Sequence, residues 1–192
     1  MSHLRGCVVK LIEKKTVMNA DEIEQTLKRL AYEIIEKLHG SERLVLIGIQ
    51  TRGVYLAKRL NVELKKITKK NVPLGMLDIT LYRDDVNSIA NQPVVKETKV
   101  PFDITDKDVV LIDDVLFTGR TIRAAIDEII DFGRPRTIKL MVLIDRGGRE
   151  LPIQPDFVGK KFPTSKDEVI SVCLKEIDKN DSAMLMEKKC SS

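Results

Sequence analysis

No stretch of this chain is apolar for long enough to span a bilayer. The first residues, MSHLRGCVVKLIEKK, also lack the apolar run of a signal peptide. Cysteine is scarce: Cys7, Cys173 and Cys190 are odd in number and in no metal-type spacing, which argues against a disulfide framework or a zinc site. These absences lead us to expect a protein of the reducing cytoplasm, with no membrane partner. Aromatic residues are only 4% of the chain, and there is no internal repeat or low-complexity tract. The pattern GxxxxGK[ST] is missing, which excludes a Walker-type nucleotide site. What remains is 43% hydrophobic and 32% charged, the balance of an ordinary folded domain. A net charge of +4 permits an anionic ligand or RNA without arguing for either.

The 192 residues suffice for one α/β domain with a full core. A helix is expected over 21–39: Ile23, Leu27, Leu30, Ala31, Ile34, Ile35 and Leu38 share one face. Asn19 and Glu22 fit a capping box, and Gly40 fits the stop. LVLIGI, 44–49, reads as a central parallel strand, and 53–64 as the helix after it. A strand over 75–82 precedes a long polar stretch, 83–108, of the kind that serves as a functional loop. A strand over 109–112, a helix over 121–131 and a strand over 138–144 follow. Beyond Asp145 the chain turns rich in Gly, Pro and basic residues, with an edge strand over 169–174 and a polar tail over 178–192. Alternating strands and helices imply a parallel sheet whose ligand sits beyond the carboxyl ends of the strands. Thr51-Arg52-Gly53, Asp113 to Thr121 and Asp145-Arg146 all land at that edge.

The segment VVLIDDVLFTGRT, 109–121, carries the most chemistry. Its turn opens a helix, so backbone N–H groups without intrahelical partners face outward and the helix dipole adds positive charge. Gly119 lets a ligand approach closely, and Thr118 and Thr121 add hydroxyls, which makes a phosphate cradle. A plain strand-to-helix turn with threonine caps is the alternative. Asp113 and Asp114 would repel a phosphate unless something stands between, and a ribose fits that gap. Its hydroxyls can donate to the two carboxylates while its 5′-phosphate reaches the turn. Carboxylates also stabilise a sugar carbon that becomes cationic in a transition state.

DDVLFTGRT resembles the phosphoribosyl-pyrophosphate (PRPP) signature of the type I phosphoribosyltransferases. The resemblance implies their fold: a central parallel sheet flanked by helices, a flexible loop and a small C-terminal hood. The further segments GIQTRGVYLAKRL, DITLYRDD, GRPRTIKLMVLIDRGGRELPI and DFVGKKFPTSKDE resemble one branch of that family. That branch couples uracil phosphoribosyltransferase activity to attenuation of pyrimidine genes. The similarity runs from about Val17 to Glu187, giving a basic extension (1–16), one domain (17–187, hood mainly 145–170) and a short tail (188–192).

The activity so implied is transfer of ribose 5-phosphate from PRPP to uracil, yielding UMP and pyrophosphate, with Mg²⁺ held through PRPP rather than directly by the protein. By the same resemblance Asp113 and Asp114 hold the ribose. Thr118, Gly119, Arg120 and Thr121 hold the 5′-phosphate, and Val115 and Phe117 belong to the same PRPP-binding set. Thr51, Arg52 and Gly53 form the pyrophosphate loop, with Arg52 offsetting leaving-group charge. Arg83 and Asp84 stand at the base of a loop that closes and excludes water. The base-binding hood involves Arg146, Val158 and Val169. PDFVG is shared with hypoxanthine-guanine phosphoribosyltransferases, which keeps a purine substrate as the alternative. A nucleotide-sensing regulator with little catalysis is another.

The branch also binds a messenger leader hairpin when UMP or UTP is present, and forms homodimers or hexamers. The residues so implied are Lys28, Arg29, Tyr32 and Lys37 on the first helix, and Arg149, Lys160 and Lys161 in the hood. Three positions depart from the branch's pattern: Tyr32 replaces a histidine, Lys28 a threonine and Gln154 an arginine. Tyr32 retains the capacity to stack on an unpaired base.

Overall fold

The computed structural model describes residues 8–79 and 98–191, with the side chains of 8, 9, 190 and 191 left aside. Arg83 and Asp84 lie outside the described residues, as does most of the polar stretch between 80 and 97.

Helix α1 (Ala20–Lys37) starts at the capping box read from the sequence. The Asn19 side chain accepts from the Glu22 N–H at 2.9 Å, and the Glu22 carboxylate accepts from the Asn19 N–H at 2.8 Å. Such a cap contributes about 1 kcal/mol. Strand β2 (Leu44–Ile49) is buried along its whole length. Helix α2 (Arg52–Thr68) leads to β3 (Leu74–Leu77), which pairs parallel with β2. The strand expected over 75–82 is therefore placed only up to Leu77.

Strand β4 (Asp108–Leu116) runs past its expected end, so Asp113 and Asp114 lie inside the strand. Helix α3 (Arg120–Asp131) and strand β5 (Thr137–Asp145) follow, then β6 (Phe157–Lys161). The main sheet has the order β3-β2-β4-β5-β6, all parallel. Residues 157–161, expected in the hood, are thus the edge strand of the main sheet.

Alternate residues of these strands face two cores. Leu44, Leu46, Val110, Ile112, Met141 and Leu143 meet the apolar stripes of α1 and α2. Val45, Ile47, Val109, Leu111 and Val142 meet Ile122, Ala125 and Ile129 of α3. Each face of the sheet is covered, as expected for buried parallel strands.

A second sheet corrects the reading of both chain ends. Strand β1 (Val8–Met18), most of which was expected in a basic extension, pairs antiparallel with β8 (Ser182–Ser191), expected in a polar tail. The other side of β8 pairs with β7 (Glu168–Cys173), so β7 is an edge strand of this smaller sheet. The short helix α4 (Lys175–Asp178) joins β7 to β8. Val17, Met18, Ile170, Val172, Ala183 and Leu185 extend the first core into this sheet.

Candidate active site

From β2 the chain moves outward to β3, then returns to place β4 on the other flank of β2. The strand order reverses there, and a parallel sheet leaves a crevice beyond the carboxyl ends of the two diverging strands. Thr51-Arg52-Gly53 stands at the end of β2, and Asp113 to Gly119 at the end of β4.

Gly53 explains how the two segments come so close. A Cβ there would stand 2.4 Å from the Ile112 carbonyl oxygen and 3.3 Å from the Asp113 Cα. Only glycine lets the first turn of α2 lie directly on the strand that carries the aspartates. Gly48 serves the same approach from β2, since a Cβ there would stand 2.6 Å from the Val54 Cα.

Asp113 is buried, and its carboxylate accepts from the Asp114 N–H at 2.9 Å. Asp114 is half-buried, and no ion pair to it is found among the described residues. One carboxylate is thus fixed by the fold and the other open to a ligand.

Beyond them the backbone turns at Gly119, with φ +95, and no side chain caps α3. The Arg120 N–H is already engaged by the Thr118 hydroxyl at 3.2 Å. The following N–H groups of the first turn have no intrahelical acceptor by the geometry of a helix, and the dipole favours an anion there. Arg120 itself turns away to Glu150, with its Nε donating at 2.8 Å. Its contribution to the cradle is therefore through its backbone. Thr121 is half-buried in that first turn, and Val115 and Phe117 are half-buried beside the aspartates.

The segment after β5 clasps this turn. Glu150 and Leu151 donate their N–H groups to the Thr118 carbonyl at 3.0 and 3.1 Å. Arg149 donates to the carbonyls of Phe117 and Ile153, each at 2.9 Å, and to the Asp145 carboxylate at 2.6 Å. The guanidinium, expected among the RNA contacts, thus braces the strand end and the cradle. Arg146 is also a scaffold residue. It is buried, stacks 3.9 Å from the centroid of the Phe117 ring, and donates to Thr164, Ser165 and the Glu168 carbonyl. Burial lowers its pKa. Its hydrogen bonds tie the end of β5 to the start of β7, so it shapes the hood rather than offering a free charge to a base. Val158 lies in β6 and Val169 in β7, on two different sheets, at half-buried positions.

Arg52, the first helical residue of α2, turns its guanidinium to Asp178. Its Nη2 donates to both carboxylate oxygens of Asp178, each at 3.2 Å, and its Nε is buried without a partner. A buried N–H without an acceptor costs roughly 1–3 kcal/mol. Nothing in the sequence pointed to Asp178, because it lies 126 positions away in a stretch read as tail.

The basic residues of α1 gather against β6. Arg29 donates to the carbonyls of Val158 and Gly159 at 3.0 and 2.8 Å, and Lys37 to that of Asp156 at 3.2 Å. Lys160 donates to the Val17 carbonyl at 2.7 Å. Lys28 pairs with Glu24, and Tyr32 is 65% exposed. A shallow cleft of about 430 Å³ lies between α1 and β6, bordered by Gln25, Arg29, Gly159 and Lys160. No helix is long and apolar enough to cross a membrane among the described residues.

Comparison with known proteins agrees with this geometry. The family model "Phosphoribosyl transferase domain" matches residues 15–177. "Bifunctional protein PyrR" of Deinococcus radiodurans is 54% identical over 174 residues, covering 91% of this chain and 95% of that protein. The protein of the same name from Thermus aquaticus is 54% identical over 176 residues, covering 92% and 97%. Among solved structures, the hypoxanthine phosphoribosyltransferase of Trypanosoma cruzi superposes with a TM-score of 0.69 at 17% identity, covering 92% of this chain and 98% of that one. A hypoxanthine-guanine phosphoribosyltransferase of Bacillus anthracis gives 0.66 at 20% identity, covering 92% and 99%. At such identities the structural likeness speaks for the fold alone.

Proposed function

The chain belongs to the phosphoribosyltransferase family, in its PyrR group, and on that premise we propose that it transfers ribose 5-phosphate from PRPP to uracil. The observation that carries this reading is the pairing, at one strand end, of an open carboxylate with an uncapped helix start. Asp114 stands beside the first turn of α3, with Gly119 between them at a positive φ. The two aspartates accept the ribose hydroxyls, and the turn holds the 5′-phosphate 5 residues on, at Gly119. The sugar is thereby clamped at both ends, with its anomeric carbon directed toward the pyrophosphate loop.

In the reaction the bond from the anomeric carbon to the pyrophosphate oxygen breaks, and a bond to a ring nitrogen of uracil forms. That nitrogen gives up its proton. Positive charge grows on the sugar as the bonds exchange, and Asp113 and Asp114 stabilise it. Arg52 offsets the charge of departing pyrophosphate. Arg83 and Asp84 belong, in this reading, to the loop that closes over the reactants and keeps water from the activated sugar.

Mg²⁺ suits the hard carboxylate oxygens of Asp114 together with the phosphate oxygens of PRPP. An ion bound mainly through phosphate oxygens, with one carboxylate nearby, is the form it takes at such sites. There it would neutralise the pyrophosphate. We place the reaction in the cytoplasm, where PRPP and transcripts are available.

The second activity we propose is binding of a leader hairpin in messenger RNA, promoted by UMP or UTP. It is supported by the name "bifunctional" among relatives and by the placement of Arg29, Lys37 and Lys160 where α1 meets β6, with Lys28 and Tyr32 exposed on α1. Arg149 belongs to the same proposed set, with its guanidinium also bracing the cradle.

The test offers uracil, hypoxanthine and guanine separately with PRPP and Mg²⁺. UMP alone is the expected product. Purine nucleotides would sink the uracil assignment and leave the phosphate site standing. UMP binding without turnover would make the protein a sensor. Hairpin affinity should then rise with UMP and fall with salt; a salt-independent signal would count against the RNA reading.

A further inference from the structure

Helix α2 carries two arginines seven positions apart, Arg52 and Arg59, and both meet carboxylates from the turn between β7 and β8. Their partnerships differ in kind. Arg59 has all three nitrogens engaged: Nε and Nη2 donate to Glu176 at 2.8 and 2.5 Å, and Nη1 and Nη2 to Asp181 at 3.0 and 2.7 Å. This is a fork matched to two carboxylates, and it fastens the β7–β8 turn to α2. Arg52 has one nitrogen shared between two oxygens at 3.2 Å, and a buried Nε with no partner.

Asp178 does not depend on Arg52 for its own position. Its Oδ2 accepts from the Leu174 N–H at 2.9 Å, so the turn holds the carboxylate in place. An anion fixed by its own backbone thus sits on the guanidinium of the pyrophosphate loop, in a pairing that leaves hydrogen-bonding capacity unused.

We propose that Asp178 is a positioning residue that stands in for pyrophosphate: it holds Arg52 when the leaving group is absent, yields it when the anion binds, and recaptures it as product departs. The inference rests on the phosphoribosyltransferase reading, and deepens it by assigning control of leaving-group affinity to the hood. A polyanionic pyrophosphate outcompetes one carboxylate for an incompletely satisfied guanidinium. The Arg59 fork stays closed throughout, so the exchange needs no opening of the hood.

The test is calorimetric titration of the full-length protein with Mg²⁺–pyrophosphate, beside steady-state kinetics. In Asp178→Asn the amide oxygen still accepts from Leu174 but the charge on Arg52 is gone. Pyrophosphate should bind roughly five- to tenfold more tightly, the scale of one typical net hydrogen bond. KM for PRPP should fall while KM for uracil stays. Unchanged or weaker pyrophosphate binding in this variant overturns the proposal. Glu176→Gln loosens the Arg59 fork without touching Arg52, and should lower the melting temperature and leave pyrophosphate affinity alone. Equal tightening there would assign the effect to a looser hood, and overturn the proposal too. Wild-type protein that binds no pyrophosphate would remove the phosphoribosyltransferase reading itself, a separate failure from an unmoved Asp178→Asn.

Discussion

Two adjacent carboxylates divide their labour because the strand turns them to different surroundings. Asp113 is buried and engaged by the next residue's N–H, whereas Asp114 is half-buried and open to a ligand. Replacing Asp114 by Asn keeps the shape and removes the charge. We expect kcat/KM for PRPP to fall on the order of 100-fold, the usual loss when one preorganised electrostatic contact at a developing charge is removed. The melting temperature should hardly move. Steady-state kinetics at saturating uracil checks this, and a loss under threefold would remove Asp114 from the ribose site. The meeting of the aspartates, the glycine and the threonines at one strand end was readable in the sequence because an apolar run leads straight into them. The partners of the arginines were not. Arg146 was expected in the base-binding hood and Arg149 among the RNA contacts, and the sequence did not show the carbonyls and the carboxylate that each of them engages around the cradle. Charge reports what a side chain offers, and only packing reports what has already accepted it.

Among the elements, those with strong apolar periodicity were legible to within a few residues: α1 with its capping box, β2, α3 and β5. Those that the sequence concealed share a physical cause. β1 (VVKLIEKKTVM) and β8 (SAMLMEKKCS) cover a core on one side only, so lysines and glutamates interrupt them and they read as polar ends. β6 was hidden by Gly159 and two lysines. That glycine is there for space: a Cβ would stand 2.4 Å from the Leu143 carbonyl oxygen and 2.9 Å from the Thr26 side chain. The contact between α2 and β4 makes the same demand at Gly53, and there the demand is functional. Gly53→Ala must push the first turn of α2 off Ile112. We expect a loss of about 1–3 kcal/mol in stability, in the range of overpacking. Because Arg52 and Thr51 ride on that turn, KM for PRPP should rise with it. Chemical denaturation and kinetics on one preparation check both, and a variant as stable and active as wild type would show that the approach relaxes freely.

At the scale of the whole molecule, the smaller sheet is held by charge as well as by apolar packing. Glu168 of β7 lies directly opposite Glu187 of β8, and Lys14 of β1 reaches them at 3.0 and 3.5 Å. Like charges in register destabilise a sheet, so this lysine makes the pairing tolerable. The Ser165 N–H and Lys14 together hold the Glu168 carboxyl at about 2, down from 4.5. Its folded pKa lies below its unfolded one, so its stabilisation is complete above 4.5 and is lost as pH falls toward 2. The melting temperature should therefore be flat with respect to this group near neutrality and decline below about 4.5. Glu168→Gln should shallow that acid limb; an unchanged limb in calorimetric scans from neutral to acid pH would assign acid sensitivity elsewhere. The same sheet has a further consequence in time. Among the described residues β1 is an edge strand paired with β8 alone, from Val8 opposite Ser191 to Met18 opposite Ala183. β1 is the earliest of the described strands and β8 the latest, so the loop that their pairing closes runs from Met18 to Ser182. Until β8 has been made, the main sheet is able to form while β1 has no template. The small sheet around the β7–β8 turn, with Asp178, is completed only once β8 is in place, so a chain cut before Ser182 cannot assemble it.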